Sequence, residues 1–154
     1  MTFLRLSNLR QCSHVIPLVG AVLLTVMPAL SALAADSTEQ SVIGRWKLKA
    51  ALDSANITSL DDSEAQQLVG HTLTINKKQF KFGKHACASP GFESERVEPR
   101  LYLREHYRAS ASQLGLPNPV TVVHLECTSA FIKNRNRLVI FWDGWFFDAV
   151  RIKK

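Results

Sequence analysis

Apolar and polar residues alternate along much of the chain, which is the pattern of strands with one buried face. The pattern begins at residues 42–50, where Trp46, Leu48 and Ala50 alternate with basic residues. Shorter runs predict further strands at residues 72–75, 80–82, 120–127, 130–133, 138–142 and 145–152. The last two runs flank the dipeptide Asp143-Gly144, a strong hairpin signal between apolar segments.

Helical signals are few and short. Asp61 or Asp62 can cap a helix that Gly70 ends, and residues 110–116 predict a second helical turn. The pattern of residues 100–107 fits a strand and a helix equally well, so both interpretations remain open at this point.

Glycine and proline mark one long connection. They stand at positions 83, 90, 91 and 99 and predict a loop over residues 83–99. About seven or eight short strands with one or two short helices predict a mainly β protein, a small antiparallel β-barrel that is closed or nearly closed. In such a barrel the last strand pairs with the first, which removes exposed sheet edges.

The N-terminal segment has the order of a secretory signal peptide. Arg5 and Arg10 precede an apolar run at residues 15–33, and Ala32-Leu33-Ala34 is an A-x-A cleavage site. The sequence therefore predicts a cleaved signal peptide at residues 1–34 and a single β-barrel-like domain at residues 35–154, which opens with a short polar lead-in.

The alternative interpretation of this segment is a transmembrane anchor, because its apolar run nearly reaches the roughly 20 residues that span a bilayer. Pro17 and Pro28 interrupt the run, however, and the chain turns polar directly after Ala34. We therefore expect a periplasmic or secreted protein that keeps no stable membrane anchor after cleavage.

The charge of the predicted mature part is modest and dispersed. The whole chain carries a formal charge of +6, and loss of the two arginines of the leader leaves +4. The basic residues are scattered rather than concentrated in one stripe, which argues against nucleic acid as a partner. The charge fits a soluble protein with anionic partners.

Two of the three cysteines, Cys87 and Cys127, remain once the leader is removed. In an exported domain they predict one disulfide. The alternative is a metal site, because His85, His124 and Glu126 stand close to the cysteines in sequence. A cystine is a poor metal ligand, and on a strand His124 and Glu126 point opposite to Cys127. We therefore expect neither a metal nor a cofactor.

Gly44-Arg45-Trp46, at the start of the first predicted strand, resembles the G-x-W signature that opens the first strand of lipocalins and lipocalin-like proteins. The resemblance implies a small barrel in which Trp46 packs across one end. The domain size, the export signal and the single disulfide are also similar to those of bacterial periplasmic lysozyme inhibitors, which are small antiparallel barrels. This second similarity concerns architecture alone, because their inhibitory loop motif has no match here.

Five aromatic residues crowd the last predicted hairpin, within residues 141–147. Alternation cannot place all of them on one face, so part of the cluster fills the core and part is available to a partner. Together with two arginines of the long loop, these aromatics supply the candidate partner-binding residues: Trp142, Trp145, Arg96 and Arg100.

No motif supplies a nucleophile with its base, a metal shell or a phosphate cradle, so we expect no catalytic activity. We expect an exported periplasmic binding protein, an inhibitor of or immunity factor against a macromolecular partner, either a protein or a cell-envelope component. Loops of mixed charge at residues 84–100 and 108–119 are the expected recognition sites. The alternative is a lipocalin-like carrier of a small apolar ligand. A carrier needs a cavity that is not filled by Trp46, Leu73, Phe80, Val122 and Ile140.

Overall fold

The computed structural model describes residues 37–153, which form one antiparallel sheet and three helices. The predicted signal peptide at residues 1–34 lies outside the described residues. The strands are β1 (Gly44–Ser54), β2 (Thr72–Asn76), β3 (Gln79–Phe82), β4 (His85–Ala88), β5 (Glu93–Val97), β6 (Val120–His124), β7 (Ser129–Asn134), β8 (Arg137–Trp142) and β9 (Trp145–Arg151). The helices are α1 (37–42), α2 (Asp62–Leu68) and α3 (Pro99–Tyr107).

The nine strands follow the order β4-β3-β2-β1-β9-β8-β7-β6-β5, and all neighbours are antiparallel. The prediction of a mainly β, antiparallel barrel-like fold is confirmed. The first and last strands pair as expected, in a register that runs from Trp46 opposite Arg151 to Ser54 opposite Trp145. This β1–β9 pair lies in the middle of the sheet.

The sheet is curled into a half-barrel. Its outermost strands, β4 and β5, are not hydrogen-bonded neighbours. The open side is crossed instead by Cys87 of β4 and Cys127 of the β6–β7 turn, which lie at disulfide distance with their Cα atoms 6.4 Å apart. The predicted cysteine pair therefore forms. It links β4, at one end of the strand order, to the β6–β7 turn near the opposite end.

The concave face of the sheet holds the larger core. Strands β3 and β6 contribute to the same buried cluster although five strands separate them, so their side chains meet inside the curl. Four of the five residues expected in the interior lie in this cluster, and Val122 packs on the outer face instead. The large members of the cluster are Trp46, Leu48, Leu73, Ile75, Phe80, Phe82, Leu125, Leu138, Ile140, Trp142 and Phe147.

Trp46 is fully buried in this core. Its indole Nε1 donates a hydrogen bond to the carbonyl oxygen of Val42 at 2.8 Å. The guanidinium of Arg151 lies over the ring, 4.1 Å from the ring centre, and donates to the carbonyl oxygen of Ile43 at 2.6 Å. The motif that suggested a barrel therefore fixes the start of β1 against the end of β9.

A second core lies on the outer face of the sheet, where α3 and the following loop cover strands β6 to β9. A helix face and a sheet face bury each other here, as in other layered folds. The buried members are Tyr102, Leu103, Leu114, Val120, Val122, Phe131, Val139 and Phe146.

The prediction of a loop over residues 83–99 is wrong, because β4 and β5 lie within it. The glycine and proline signals are real but fall between the strands: Pro90 and Gly91 occupy the β4–β5 connection, and Pro99 opens α3. Both strands are short edge strands with mostly exposed side chains, so they lack the alternation that marks a half-buried strand.

In three further segments the observed secondary structure corrects or settles what the sequence predicts. Residues 37–42 form a helix, so the first strand begins at Gly44 rather than at residue 42. The ambiguous segment 100–107 is helical, whereas residues 110–116 form turns rather than the expected helix. Asp61 caps α2, and among residues 37–153 no helix is long and apolar enough to cross a membrane.

Candidate groove along helix α3

Local signals at both ends determine where helix α3 begins and ends in the chain. The Glu98 side chain caps the first turn by accepting hydrogen bonds from the backbone N–H groups of Arg100 at 3.1 Å and Leu101 at 2.6 Å. Pro99 occupies the first turn, where its missing N–H costs nothing. The helix ends at Arg108, whose left-handed backbone has a φ of 51°.

The side chains of α3 divide between the sheet and a groove. Tyr102 and Leu103 are buried against the sheet. Arg100 and Arg104 lie one turn apart on the helix surface, and Arg108 is the C-cap residue just after the last turn; these three residues are called the arginine row. The row borders an open groove of about 1190 Å³, whose lining consists of Glu98, Pro99, Arg100, Leu101, Arg104, Arg108, Ala109, Ser110, Ala111, Ser112, Leu116 and Asn118.

The arginines of the row form no close ion pair within the part of the chain that is described, although Arg100 and Arg104 lie near enough to Glu98 to help lower its pKa. None of the three guanidinium groups forms an ion pair within 4.0 Å among residues 37–153. Glu98 is the one acidic residue of the lining, and its carboxylate is committed to the helix cap. Hydrogen bonds from the N–H groups of Leu101 and Arg100 lower the pKa of Glu98, so it stays ionised. The lining has a net charge of +2.

The far wall of the groove is fixed to the sheet. Leu114 is fully buried in the outer core. Its carbonyl oxygen accepts a hydrogen bond from Nζ of Lys133 on β7 at 2.8 Å. Lys133 also lies 3.6 Å from the buried carboxylate of Asp148 on β9. The loop that faces the arginine row is therefore held in place by packing and by a buried ionic contact.

A row of polar side chains lies between α3 and the strands beneath it. Nε2 of His124 is 3.0 Å from Oε1 of Glu95, and Nδ1 of His124 is 3.4 Å from Oγ of Ser129. The Tyr107 hydroxyl donates to Ser129 Oγ at 3.0 Å. If Nε2 of His124 carries the proton, every group in the row has a compatible role: Tyr107 donates to Ser129, Ser129 to His124, and His124 to Glu95.

The pKa shifts in this row agree with that direction of donation. The hydrogen bond from His124 lowers the pKa of Glu95 and keeps it an acceptor. Burial raises the pKa of Tyr107, and burial together with the hydrogen bond to Glu95 raises the pKa of Tyr102. Both phenols therefore stay protonated and act as donors.

The order Ser129, His124, Glu95 is that of a nucleophile, a base and an acid. Ser129 is only 9% exposed, and its oxygen already accepts a hydrogen bond from Tyr107. A substrate carbonyl has no open approach to such a hydroxyl, so the row is better suited to hold α3 on the sheet than to attack a substrate.

The four candidate partner-binding residues fall in different places. Trp142 is 9% exposed and packs against Phe80 and Phe82, so it belongs to the core. Trp145 is half-buried and donates from Nε1 to the carbonyl oxygen of Leu60 at 3.0 Å. Arg96 is exposed on β5, outside the lining of the groove, whereas Arg100 lines the groove. The structure therefore unites Arg100 with Arg104 and Arg108 rather than with the tryptophans.

The residues considered for a metal site are also separated by their contacts. His85 packs edge-on against Trp142, with ring centres 5.5 Å apart, and His124 is engaged with Glu95. Within residues 37–153 no group of three or more histidine, cysteine, aspartate or glutamate side chains is arranged to hold a metal ion.

Sequence reasoning missed Arg104 and Arg108. Their four-residue spacing from Arg100 is visible in the sequence, but it places them on one face only if the segment is a helix. Pro99 after the acidic Glu98 was the available signal, because proline is favoured in the first turn of a helix.

Comparisons with known proteins do not identify a family: no family model, no curated protein and no solved structure matches the chain. The fold is barrel-like, as the lipocalin and lysozyme-inhibitor resemblances implied, but nothing links the chain to either family. The groove is therefore the feature of the molecule that indicates a function.

Proposed function

We propose that the protein is an exported binding protein that recognises an anionic macromolecular partner, an acidic protein or a cell-envelope polymer, at the groove along α3. The observation that carries this proposal is the row of unpaired arginines, Arg100, Arg104 and Arg108, beside a concave surface. Inhibition of the partner, or immunity against it, is the role that fits a protein acting by binding alone.

Arginine suits this role because its planar guanidinium binds carboxylate or phosphate oxygens through two parallel hydrogen bonds. Arg100 and Arg104 are separated by about 6 Å along the helix axis, given a rise of about 1.5 Å per residue, and Arg108 follows at the C-cap. The row therefore matches a partner that repeats its negative charges, and it attracts such a partner before contact.

The rigidity of the groove also favours binding. The Glu98 cap fixes one end of α3, the polar row of Tyr107, Ser129 and His124 holds its inner face, and Lys133 holds the opposite wall. A surface that is already ordered loses little conformational entropy when a partner docks, so more of the contact energy appears as affinity.

The alternative function, a carrier of a small apolar ligand, has less support. A lipocalin-type site lies inside the barrel, and there Trp46, Leu73 and Phe80 are buried in one packed cluster. The groove and the second, smaller cavity next to it both lie beside α3, on the outer face of the sheet.

The test compares charge removal inside and outside the groove. Arg100→Gln/Arg104→Gln removes two charges from the row. Lys47→Gln/Lys49→Gln is the matched control, since it removes two charges from exposed positions of β1. Binding of poly-glutamate and of inorganic polyphosphate is measured by calorimetry at several salt concentrations.

We expect the arginine variant to weaken binding of at least one of the two polyanions by about tenfold or more, because it removes charge-assisted hydrogen bonds. The lysine variant should change affinity by less than about threefold, since it alters only long-range attraction. Equal losses in the two variants, or no binding by the unmodified protein, would contradict the proposal.

A further inference from the structure

The groove continues beyond the arginine row. A second cavity of about 300 Å³ has Arg108 in its lining, as the groove does, so the two lie on either side of this residue at the C-terminal end of α3. Its lining is Ala55, Asn56, Ile57, His106, Tyr107, Arg108 and Phe141. The cavity joins a charged entrance at Arg108 to an apolar and aromatic interior.

The rim of this second cavity is a loop that the β8–β9 hairpin holds in place. The N–H of Ala55 donates to the carbonyl oxygen of Gly144 at 2.8 Å, and the N–H of Ser59 donates to that of Asp143 at 3.0 Å. The indole of Trp145 donates to Leu60 just beyond. Because both ends of the loop are anchored, the cavity is a built feature rather than a gap beside a free segment.

The exposed apolar side chains of the described residues point to the same surface. Only two large hydrophobic side chains are exposed within residues 37–153, Leu101 at 45% and Ile57 at 82%. Leu101 lines the groove and Ile57 lines the second cavity. Arginine and aromatic residues are enriched at protein-binding interfaces, and Tyr107, Arg108 and Phe141 stand together in the lining of the second cavity.

We infer that the partner is a protein and that it binds through an extended acidic segment. The carboxylates of this segment contact the arginine row, and a large apolar side chain that follows them in the segment enters the second cavity. The inference rests on the proposed function, which it narrows to one class of partner. The segment runs along α3 and crosses from the groove into the cavity at Arg108.

The spacing of the arginines sets the pattern of such a segment. Residues four apart on a helix are separated by about 6 Å along its axis. Residues two apart in an extended chain are separated by about 6.6 Å and point to the same side. A segment with glutamate or aspartate at alternate positions therefore places successive carboxylates opposite Arg100 and Arg104, and a further carboxylate is available to Arg108 at the C-cap, beside the second cavity.

The volume and lining of the second cavity indicate which type of residue follows the acidic residues of the partner segment. Its volume is at the lower limit of small-molecule sites, roughly 300–1,000 Å³, so one aromatic or branched side chain is a suitable occupant. Tyr107 and Phe141 offer ring faces and edges for an aromatic side chain. The arginines of the groove favour carboxylates and the second cavity favours one large apolar side chain, and a peptide segment carries both, so we favour a protein segment over a membrane.

The experiment uses capped synthetic peptides and the protein from residue 35 onward, the predicted mature chain. The first peptide alternates three glutamates with serines and ends in tryptophan, and a second places the tryptophan at the opposite end, since either chain direction is allowed. Three control peptides carry alanine for tryptophan, glutamine for glutamate, or the same residues with the glutamates adjacent. Calorimetry gives the dissociation constant of each peptide. Vesicles of anionic phospholipid and inorganic polyphosphate are measured in the same way.

The protein variants are Ile57→Ser and Arg100→Gln/Arg104→Gln. Ile57 is highly exposed, so its replacement leaves the fold intact, which circular dichroism verifies. We expect one tryptophan peptide to bind about tenfold more tightly than its alanine control, and Ile57→Ser to abolish most of that difference without changing binding of the alanine peptide. The alternating peptide should bind more tightly than the peptide with adjacent glutamates.

The outcomes separate this inference from the proposed function. If Ile57→Ser weakens the tryptophan and alanine peptides equally, or tryptophan gives no advantage, the second cavity is not part of the site and the inference fails. If polyphosphate or vesicles bind and no peptide does, the partner is not a protein segment and the inference also fails. In either case the loss of binding in Arg100→Gln/Arg104→Gln still decides the proposed function.

Discussion

Cys87 on the edge strand β4 is joined to Cys127 beside β6, although six other strands separate β4 from β6 in the order of the sheet. Hydrogen bonds do not close the half-barrel on this side. The cysteine pair takes the place of the missing strand pairing between the two ends of the sheet. It also keeps the β2–β3–β4 end of the curl close to the strands that support α3.

We expect loss of this pair to lower the free energy of unfolding by about 4 kcal/mol. The two cysteines are 40 residues apart, and closure of a loop of this length restricts the unfolded chain by that amount in the chain-entropy model. Urea denaturation of the Cys87→Ser/Cys127→Ser variant measures the loss, and mass spectrometry under non-reducing conditions verifies the bond in the starting protein. Free thiols in protein purified without reducing agent, or unchanged stability of the variant, would refute this account.

Arg137 and Asp148 form an ion pair whose removal should depend on which partner is replaced. The Asp148 carboxylate is buried and lies 2.7 Å from Nη2 of Arg137, whereas the Arg137 side chain is half exposed. Arg137→Met leaves the buried carboxylate only the more distant Lys133, so we expect a loss of about 2 kcal/mol in thermal or urea unfolding.

Replacing both partners tests the reason for that loss. Arg137→Met/Asp148→Val removes the buried carboxylate together with its nearer counter-charge, and Lys133 keeps its hydrogen bond to the carbonyl oxygen of Leu114, so the double variant should be more stable than Arg137→Met alone. A double variant that is as unstable as the sum of the two single variants would show that desolvated charge is not the cause.

Gly144 in the β8–β9 turn should be intolerant of a side chain, and Gly70 supplies the control. Both residues have positive φ values, 89° and 92°. A Cβ atom at Gly144 would lie 2.5 Å from Cα of Thr58, whereas one at Gly70 would meet nothing within 4 Å. Gly70→Ala should cost about 1 kcal/mol for backbone strain, and Gly144→Ala about 3 kcal/mol or more. Similar losses of stability in the two variants would disprove the steric argument.

Because of the Glu95–His124 contact, we expect the free energy of unfolding to depend on pH in the acidic range. The hydrogen bond from His124 lowers the folded-state pKa of Glu95 below its ordinary value of 4.5. A lowered pKa contributes stability at pH values above 4.5, and this contribution is lost as the pH falls below 4.5 through the folded pKa. Glu95→Gln should therefore be less stable than the unmodified protein at pH 6, with the difference shrinking towards pH 3.

The control for this titration is Glu105→Gln, which removes the same charge from an exposed position of α3. Chemical denaturation at intervals between pH 6 and pH 3 gives both curves. The prediction fails if the stability difference for Glu95→Gln is constant over this range or equals that of the control. Because Glu95 is about half exposed, solvent screening keeps the effect small.

The strands that the sequence predicts best are those with one buried and one exposed face. Alternation located β1, β2 and β3, and the Asp143-Gly144 turn located the final hairpin, because each signal reflects a local requirement of burial or of backbone geometry. Strands β4 and β5 escaped prediction for the opposite reason. As exposed edge strands they need no alternation, and their pairing partners are chosen by the rest of the sheet.

The groove was predictable only in part. Arg100 and the loop 108–119 were identified as recognition elements, and both line the groove. Arg104 and Arg108 depend on the helical state of residues 99–107, which tertiary burial of Tyr102 and Leu103 decides. Ile57 and the end of α3 line the same cavity although they are about 50 residues apart in the sequence, and no local pattern encodes this proximity.

Strands β1 and β9 are first and last along the chain, yet they are neighbours at the centre of the sheet. During synthesis β1 can pair with β2 at once, but its other edge stays unpaired until residues 145–151 emerge. The half-barrel therefore cannot be completed in stages from one end; its two halves join only when the final strand arrives. A chain that crosses a membrane unfolded, as the predicted leader implies, gains from this order, because the sheet is finished only after nearly the whole chain has passed through.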